Sequence, residues 1–305
     1  MRKIFCFLIL VGFCLGVGKL WYWKTNGFNI SRLDGWTQEL EGVWWNEEAE
    51  AILSQTFHYL ARGRQAYAFV SEDGQYILKF PRGDICKIPF WLKAYPFAAK
   101  RERQVFRRAF RERCVLESAR LSMEELKDAT AMIAMNFSRS ANHEKPFRAK
   151  KVKIIDRAGR SFQVPLASTY FVLQRKKDLF RDVIQRAAVN EGIQGVEHVI
   201  DVLFDVIVER TQKGILNRDG SFLRNYGFDD QRGYQTDIGS FFKAEGVPSK
   251  DLFFRSMELS VKPIRKWMAK MHPEWLPILD RKRELLLQTP SEKQGSVTEI
   301  LHPIH

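Results

Sequence analysis

Alternating apolar and polar positions predict several short strands in the first half of the chain. The clearest pair covers 67–70 and 75–80, and the Ser-Glu-Asp-Gly segment between them is typical of a hairpin turn. A strand from Phe57 precedes this pair, and three more strands are predicted at 151–155, 161–165 and 169–174. Period two places Lys79 as a charge in an otherwise apolar strand, where a lysine requires an anionic partner.

A helical period dominates two other regions. Residues 98–136 are predicted to be helical, and a basic face runs from Lys100 to Arg113. A second helix is predicted to start after Ser122, where Glu125 completes a capping box. Farther along, apolar residues recur at helical spacing before Gly214, which ends that helix. These residues are Val196, Val199, Ile200, Leu203 and Ile207. Two more helices are predicted at 249–271 and 274–288, followed by a polar tail at 289–305.

The N-terminal segment differs from the rest of the chain. An apolar run from Ile4 to Gly18 is interrupted by Lys19 and continues as Leu-Trp-Tyr-Trp. We predict that residues 1–24 form an uncleaved membrane anchor; the alternative is a signal segment that is removed on export or secretion. Basic residues flank the run on both sides and leave the orientation open. Residues 25–55 form a tether and a leading helix, whose tryptophans predict packing.

The composition adds a strong positive charge. The formal net charge is +13 and the pI is about 9.6, which indicates attraction to anionic lipid, acidic protein, nucleic acid or phosphorylated ligands; the plain alternative is a solubilising surface. No nucleic-acid-binding module is recognisable, so nucleic acid is the least expected partner. Four cysteines are too few for a disulfide framework, and Cys86 and Cys114 are predicted to be free thiols. The histidines show no zinc-binding spacing.

Three polar residues in the last third suggest chemistry. Asp219 follows Asn217-Arg218 and is predicted to end a helix, while Asn225 is predicted to open a strand. Asp237 closes the second strand of a hairpin and is followed by Ile238-Gly239. A phosphoryl-transfer site uses one carboxylate to orient a hydroxyl, and an amide with a second carboxylate to hold Mg²⁺. Each residue taken alone has an ordinary alternative as a turn or cap residue.

The order of these features resembles the protein-kinase-like fold, which includes small-molecule kinases of the aminoglycoside-phosphotransferase kind. The resemblance covers roughly residues 57–285. It implies an α+β, two-lobed domain behind the N-terminal hydrophobic helix. The N-lobe would be a small antiparallel sheet at 56–175, and the C-lobe at 176–288 would be mainly helical. ATP and Mg²⁺ would bind between the lobes.

The resemblance also implies roles for single residues. Gly63 stands in the segment 61–66, where the family has its glycine-rich phosphate loop. Lys79 would grip phosphates, paired with either Glu112 or Glu117, a choice that the sequence leaves open. Asp219 would orient the attacking hydroxyl. Mg²⁺ would be held by Asn225 and Asp237.

Departures from the family pattern bear on activity. The phosphate loop keeps one glycine, Asn217 replaces a histidine, and one extra residue separates Asp219 from Asn225. No Ala-Pro-Glu follows Gly239. These departures argue against an ordinary regulated protein kinase. They leave a minimal phosphotransferase, an unusual protein kinase, or an inactive pseudokinase that binds an acidic partner or a membrane through its basic helix.

Overall fold

The computed structural model describes residues 2–40, 43–93, 97–139, 147, 149–219, 222–229, 232–244 and 250–288. The chain clusters into two compact units. One contains residues 1–112 and 133–175, and the other contains residues 113–132 and 176–305. The polar tail predicted at 289–305 lies outside the described residues.

Helix α1 (Arg2–Thr25) is the first element of the first unit. Its described residues include large apolar side chains that are mostly exposed, among them Phe13, Leu15, Leu20 and Trp23. Within the described part of the chain, no helix combines the length and the hydropathy needed to cross a bilayer. The end of α1 contacts arginines of the first unit: Arg62 donates to the Tyr22 hydroxyl, and the Arg160 guanidinium lies 4.7 Å from the Trp21 ring centroid. The membrane anchor stays a prediction.

Eight described strands form one sheet in the first unit. In spatial order they are β1 (Val43–Trp44), β5 (Met132–Asn136), β8 (Phe171–Arg175), β4 (Tyr76–Pro81), β3 (Ala66–Ser71), β2 (Thr56–Arg62), β6 (Lys151–Ile155) and β7 (Ser161–Pro165). Strands β2 and β6 pair in parallel, with Phe57 opposite Ile154. The prediction of an antiparallel sheet was therefore wrong for this pair, because the chain returns to β2 only after a long excursion through a helix and β5. The first unit is a mixed α/β structure.

The predicted hairpin between β3 and β4 is confirmed. Gly74 donates its amide to Ser71 O at 2.9 Å and takes a φ of +75°, a conformation that glycine adopts without steric cost. The predicted alternation is confirmed in β3, whose side chains are half-buried and buried in turn, whereas in β4 the adjacent Ile77 and Leu78 are both buried. The largest core side chains of this region are fully buried. They are Phe57, Tyr67, Phe69, Leu78 and Phe80.

Helix α4 (Ala98–Glu124) confirms only part of the helix predicted at 98–136. Residues 125–131 form turns, and the next five residues form β5. Ser122 does not cap a second helix, because its hydroxyl donates to Ser118 O at 2.7 Å within α4. Every residue of β5 is buried, so this segment lacks the alternation that distinguishes a strand from a buried helix.

The segment at 25–55 is packed, as its tryptophans predicted. It contains a 3₁₀ turn (Ile30–Arg32) and helix α2 (Glu47–Leu53). The Trp36 side chain is buried, and the Trp45 ring lies 4.9 Å from the ring of Phe147. A second 3₁₀ turn (Gly83–Ile85) and helix α3 (Phe90–Lys93) follow β4, and a third 3₁₀ turn (Leu166–Ser168) precedes β8.

The second unit combines helices with short hairpins. Its described helices are α5 (Phe180–Gln212), α6 (Phe222–Asn225), α7 (Lys250–Met271) and α8 (Leu276–Gln288), the last preceded by a 3₁₀ turn (Pro273–Trp275). Its described strands are β9 (Asp178–Leu179), β10 (Ile215–Asn217), β11 (Tyr226–Phe228), β12 (Gly233–Gln235) and β13 (Phe241–Lys243). The apolar stripe predicted along α5 is buried against α7 and α8, and both C-terminal helices are confirmed. Gly214 has a φ of +69° just after α5, as the prediction of a helix end at this residue requires.

Candidate functional site

Asp219 lies directly after a two-stranded ladder in the second unit. Strand β10 pairs antiparallel with β13, with Asn217 opposite Phe241, and the Arg218 amide donates to Ser240 O at 3.1 Å. The Asn217 side chain then accepts the Asp219 amide at 2.9 Å. Asp219 was predicted to end a helix, and this was wrong: α5 ends at Gln212, and three strand residues intervene. The ladder therefore places the Asp219 loop beside Ser240 and Phe241, which follow Asp237 in the chain.

The β11–β12 hairpin brings Asn225 beside the segment that contains Asp237. Strands β11 and β12 are antiparallel, and the amide of Thr236 donates to Asn225 O at 2.7 Å. The predicted hairpin is confirmed in its described residues. Asn225 was predicted to open a strand, and this was wrong: it is the last residue of α6, immediately before β11. Asp237 is half-buried, and its Oδ1 accepts the Gly239 amide at 3.3 Å.

The side-chain amide of Asn225 is buried, with 4% of the residue exposed. Its Nδ2 atom has no hydrogen-bond partner in the described part of the chain. Buried amides normally satisfy their polar atoms, and an amide flip exchanges the nitrogen with the oxygen. The described residues contain no cluster of three or more histidine, cysteine, aspartate or glutamate side chains arranged for a metal ion. The two residues predicted to hold a metal ion offer one amide oxygen, from Asn225, and one carboxylate, from Asp237.

Ser118 fixes the Asp237–Gly239 segment from α4, within the second unit. Its hydroxyl, which is fully buried, donates to Ile238 O, and its oxygen accepts the amide of Phe241 at 2.7 Å. The role of Ser118 was not predicted from the sequence, because a serine within a helix carries no signal of a distant backbone partner. A small polar residue on an otherwise apolar helix face is the only hint that the sequence offers.

Arg210 supports the β11–β12 hairpin from beneath. This residue is 2% exposed, and its Nη1 donates to Gln235 Oε1 at 2.6 Å and to the Tyr226 hydroxyl at 3.4 Å. Its Nη2 donates to Ser256 Oγ at 3.4 Å and to Ser260 Oγ at 3.1 Å. The guanidinium thus joins α5, α7 and both hairpin strands. Arg210 thereby fixes strands β11 and β12, which lie between Asn225 and Asp237 in the chain.

A half-buried tyrosine lies on the same hairpin. Tyr234 of β12 donates its hydroxyl to Asp229 at 2.7 Å, and Lys177 Nζ lies 4.0 Å from its ring centroid. Burial, together with the hydrogen bond to Asp229, raises the pKa of this phenol above its ordinary value. Tyr234 therefore stays protonated through the neutral range and acts here as a donor.

The other predicted site residues lie in the first unit or on α4. Lys79 is half-buried in β4, and its backbone is fixed from both sides, opposite Ala68 of β3 and Val172 of β8. Gly63 lies in the short turn between β2 and β3, where its amide donates to Ala66 O at 2.8 Å. Arg82 ties the same turn to β4, because its amide donates to Gln65 O at 2.7 Å. The Gly63 amide is therefore already engaged inside the turn.

The two candidate glutamates occupy different environments. Glu112 is 2% exposed, and its carboxylate accepts the amide and hydroxyl of Thr37 together with the amide of Gln38. These donors give Glu112 a structural role in holding the tether. Glu117 is half-buried on α4 in the second unit. The sequence does not distinguish the two glutamates, because Glu112 is far from Thr37 and Gln38 in the chain.

No protein-family model and no curated protein matches the chain. Among solved structures, one of WbdD matches with a TM-score of 0.34 and 15% identity, covering 81% of this chain and 50% of that one. A structure of the bifunctional kinase-methyltransferase WbdD matches with a TM-score of 0.33 and 14% identity, covering 79% and 47%. The chain thus spans about half the length of these proteins, and TM-scores this low do not establish a common fold.

Proposed function

We propose that this chain is a kinase-like phosphotransferase that binds ATP with Mg²⁺ and transfers the γ-phosphoryl group to a hydroxyl. One observation carries the proposal: the β10–β13 ladder and the β11–β12 hairpin of the second unit bring the Asp219 loop, Asn225 and the Asp237 segment into one neighbourhood. The Arg218–Ser240 and Thr236–Asn225 backbone bonds define that neighbourhood. The sequence resemblance had assigned these three residues to one site from their order alone.

The proposed Mg²⁺ ligands fit the ion's chemistry. Mg²⁺ prefers oxygen donors and is commonly held by one or two protein side chains together with phosphate oxygens and water. Asp237 supplies a carboxylate, and a flip of the buried Asn225 amide would put its oxygen, a possible Mg²⁺ ligand, where the unpaired Nδ2 atom now lies. When bound, the ion would neutralise charge on the phosphates. The Ser118 bonds hold the backbone on which Asp237 stands.

The remaining proposed roles fall to Asp219, Lys79 and Glu117. Asp219 would accept a hydrogen bond from the acceptor hydroxyl and orient it for attack, because its loop is fixed by the Asn217 side chain. Lys79 would supply a positive charge to the phosphates. Glu117 stays the candidate glutamate, because the Glu112 carboxylate is occupied by the tether.

Turnover tests the proposed reaction. We expect the full chain to release the γ-phosphate of ATP slowly in Mg²⁺ buffer. Asp219→Asn should lower the rate of that release at least about a hundredfold, within the range that positioned acid–base groups contribute. Its affinity for ATP should not change. Asp128→Asn, on an exposed turn of the same unit, is the matched control and should behave as the unchanged chain. Equal turnover in the two variants would overturn the role of Asp219.

Two observations favour a second candidate, a nucleotide-binding module without turnover. The Gly63 amide donates to Ala66 O, so it is not available to bind a phosphate oxygen. Asn217, which stands where the family has a histidine, uses its side chain to bind the Asp219 amide. ATP binding that Asp237→Asn abolishes, with no phosphate release under any condition, would select this candidate.

A further inference from the structure

Exposed phenylalanines and basic residues occupy one face of the first half of α4. We name this the basic–aromatic face and define it by Lys100, Arg103, Phe106, Arg107 and Phe110, with Ile88 and Phe90 in the preceding segment. Phe90 is 86% exposed and Phe106 is 69% exposed. Phe106 stacks on Phe110 with 6.2 Å between the ring centroids. Exposed large apolar side chains that occur in a group, rather than singly, mark an interaction surface.

Helical spacing makes the α4 part of the face continuous. Positions 103, 106, 107 and 110 are separated by three or four residues, so they lie side by side on the helix. The opposite side of this stretch contains the buried Glu112. The segment of Ile88 and Phe90 is held against the helix, because Arg108 donates to Ile85 O at 3.1 Å and to Lys87 O at 2.8 Å. The face therefore joins two parts of the first unit.

Its chemistry fits one kind of partner. Arginine and lysine attract an anionic surface, and phenylalanine side chains gain by leaving water for the boundary between headgroups and acyl chains. Long basic side chains can keep their charge at the headgroup level while their stems cover apolar surface. Glu102, which is exposed beside the face, is the one acidic residue between positions 100 and 110. We propose that the basic–aromatic face binds the surface of an anionic lipid bilayer, with α4 lying in the plane of the membrane.

Helix α1 supplies an independent indication in the same unit. Its exposed Leu20, Trp21 and Trp23 lie between Lys19 and Lys24, a composition suited to a membrane interface. The proposal does not depend on nucleotide binding, because its residues belong to none of the proposed catalytic or metal-binding roles. Binding to lipid and binding to ATP can fail separately.

Vesicle co-sedimentation of the full chain tests the proposal. Vesicles of phosphatidylcholine alone are compared with vesicles that also contain phosphatidylserine. Because α1 can bind both kinds, the readout is the ratio of the two partition coefficients. We expect a ratio well above one, and Arg103→Glu with Arg107→Glu should lower it at least about 25-fold, since each basic residue near an anionic surface contributes about fivefold. The control, Lys262→Glu with Lys266→Glu on exposed positions of α7, changes the net charge equally and should keep the ratio.

A second pair of variants separates a bilayer from an acidic protein partner. Phe90→Ser with Phe106→Ser leaves the charge unchanged and should weaken partitioning into anionic vesicles at least about tenfold. Val189→Ser with Leu259→Ser removes exposed apolar side chains elsewhere and should have no effect. A wild-type ratio of one would overturn the proposal. So would unchanged partitioning of the phenylalanine variant, because charge alone would then explain the attraction. Circular dichroism confirms that each variant is folded.

Discussion

The side-chain oxygen of Ser118 accepts a hydrogen bond from the backbone amide of Phe241 at 2.7 Å, and its proton is donated to Ile238 O. One buried hydroxyl thereby satisfies a donor and an acceptor of the chain that follows Asp237. Backbone groups buried without a partner are costly, so this contact determines the conformation of the segment that carries the proposed metal ligand.

Ser118→Ala should therefore destabilise the second unit. Both backbone partners would stay buried and unpaired, which lowers the free energy of unfolding by about 1–3 kcal/mol. Urea denaturation followed by circular dichroism measures the loss. Ser161→Ala, at an exposed position of β7, is the control and should change the unfolding free energy by less than about 0.5 kcal/mol. Indistinguishable stability of the two variants would show that the Ser118 contacts do not hold this segment.

Arg210 provides a separate stability prediction. Its guanidinium donates to Gln235, Ser256 and Ser260 at the same time, and an ammonium group cannot match that planar geometry. Arg210→Lys should lower the free energy of unfolding by about 2–4 kcal/mol, because charged hydrogen bonds contribute about 1.5–3 kcal/mol each. Arg181→Lys, at an exposed position of the same helix, should be neutral. A midpoint for Arg210→Lys equal to that of the control would contradict the structural role.

The buried thiol of Cys86 should be unreactive in the native protein. Burial, reinforced by the nearby charge of Glu112, raises its pKa to about 12, so the nucleophilic thiolate is scarce at pH 8. Thiol titration with a chromogenic disulfide should give the same native count for the wild type and for Cys86→Ala. In denaturant the variant should release one thiol fewer. A native count that also falls by one in Cys86→Ala would show that the thiol is accessible.

The two glutamates near the middle of α4 can be separated by paired substitutions. Glu112→Gln should lower stability without changing nucleotide affinity, because the carboxylate accepts three hydrogen bonds from Thr37 and Gln38. Glu117→Gln should instead weaken ATP binding as much as Lys79→Met does. Unfolding midpoints and ATP affinities are measured for all three variants. The assignment of Glu117 fails if Glu112→Gln is the variant whose affinity follows that of Lys79→Met.

Local sequence patterns predicted the structure correctly where the contacts of a residue lie nearby in the chain. The Ser71–Gly74 turn and the apolar stripe of α5 belong to this class, since hairpin and helix contacts span few residues. Patterns failed at β5, because a strand buried on both faces has the uniform apolar composition of a core helix. They also failed for the parallel β2–β6 pair, which depends on where a distant segment returns.

The candidate site shows the same division. Order and spacing predicted Asp219, Asn225 and Asp237 as site residues, and this stays a prediction, while the local structures around Asp219 and Asn225 were predicted wrongly. Nothing in the sequence identified Ser118 as the residue that holds the segment after Asp237, or Arg210 as the residue that holds the β11–β12 hairpin. Their partners lie in other elements, and only the folded chain brings them together.

Isothermal titration calorimetry with ATP and Mg²⁺ tests the central claim most directly. Three proteins are compared: the unchanged chain, Asp237→Asn, and Asp182→Asn at an exposed position of α5. We expect the unchanged chain and Asp182→Asn to bind with equal affinity, and Asp237→Asn to bind at least about tenfold more weakly, a loss of about 1.4 kcal/mol. Absence of binding to the unchanged chain, or equal affinity of the two variants, would contradict the account.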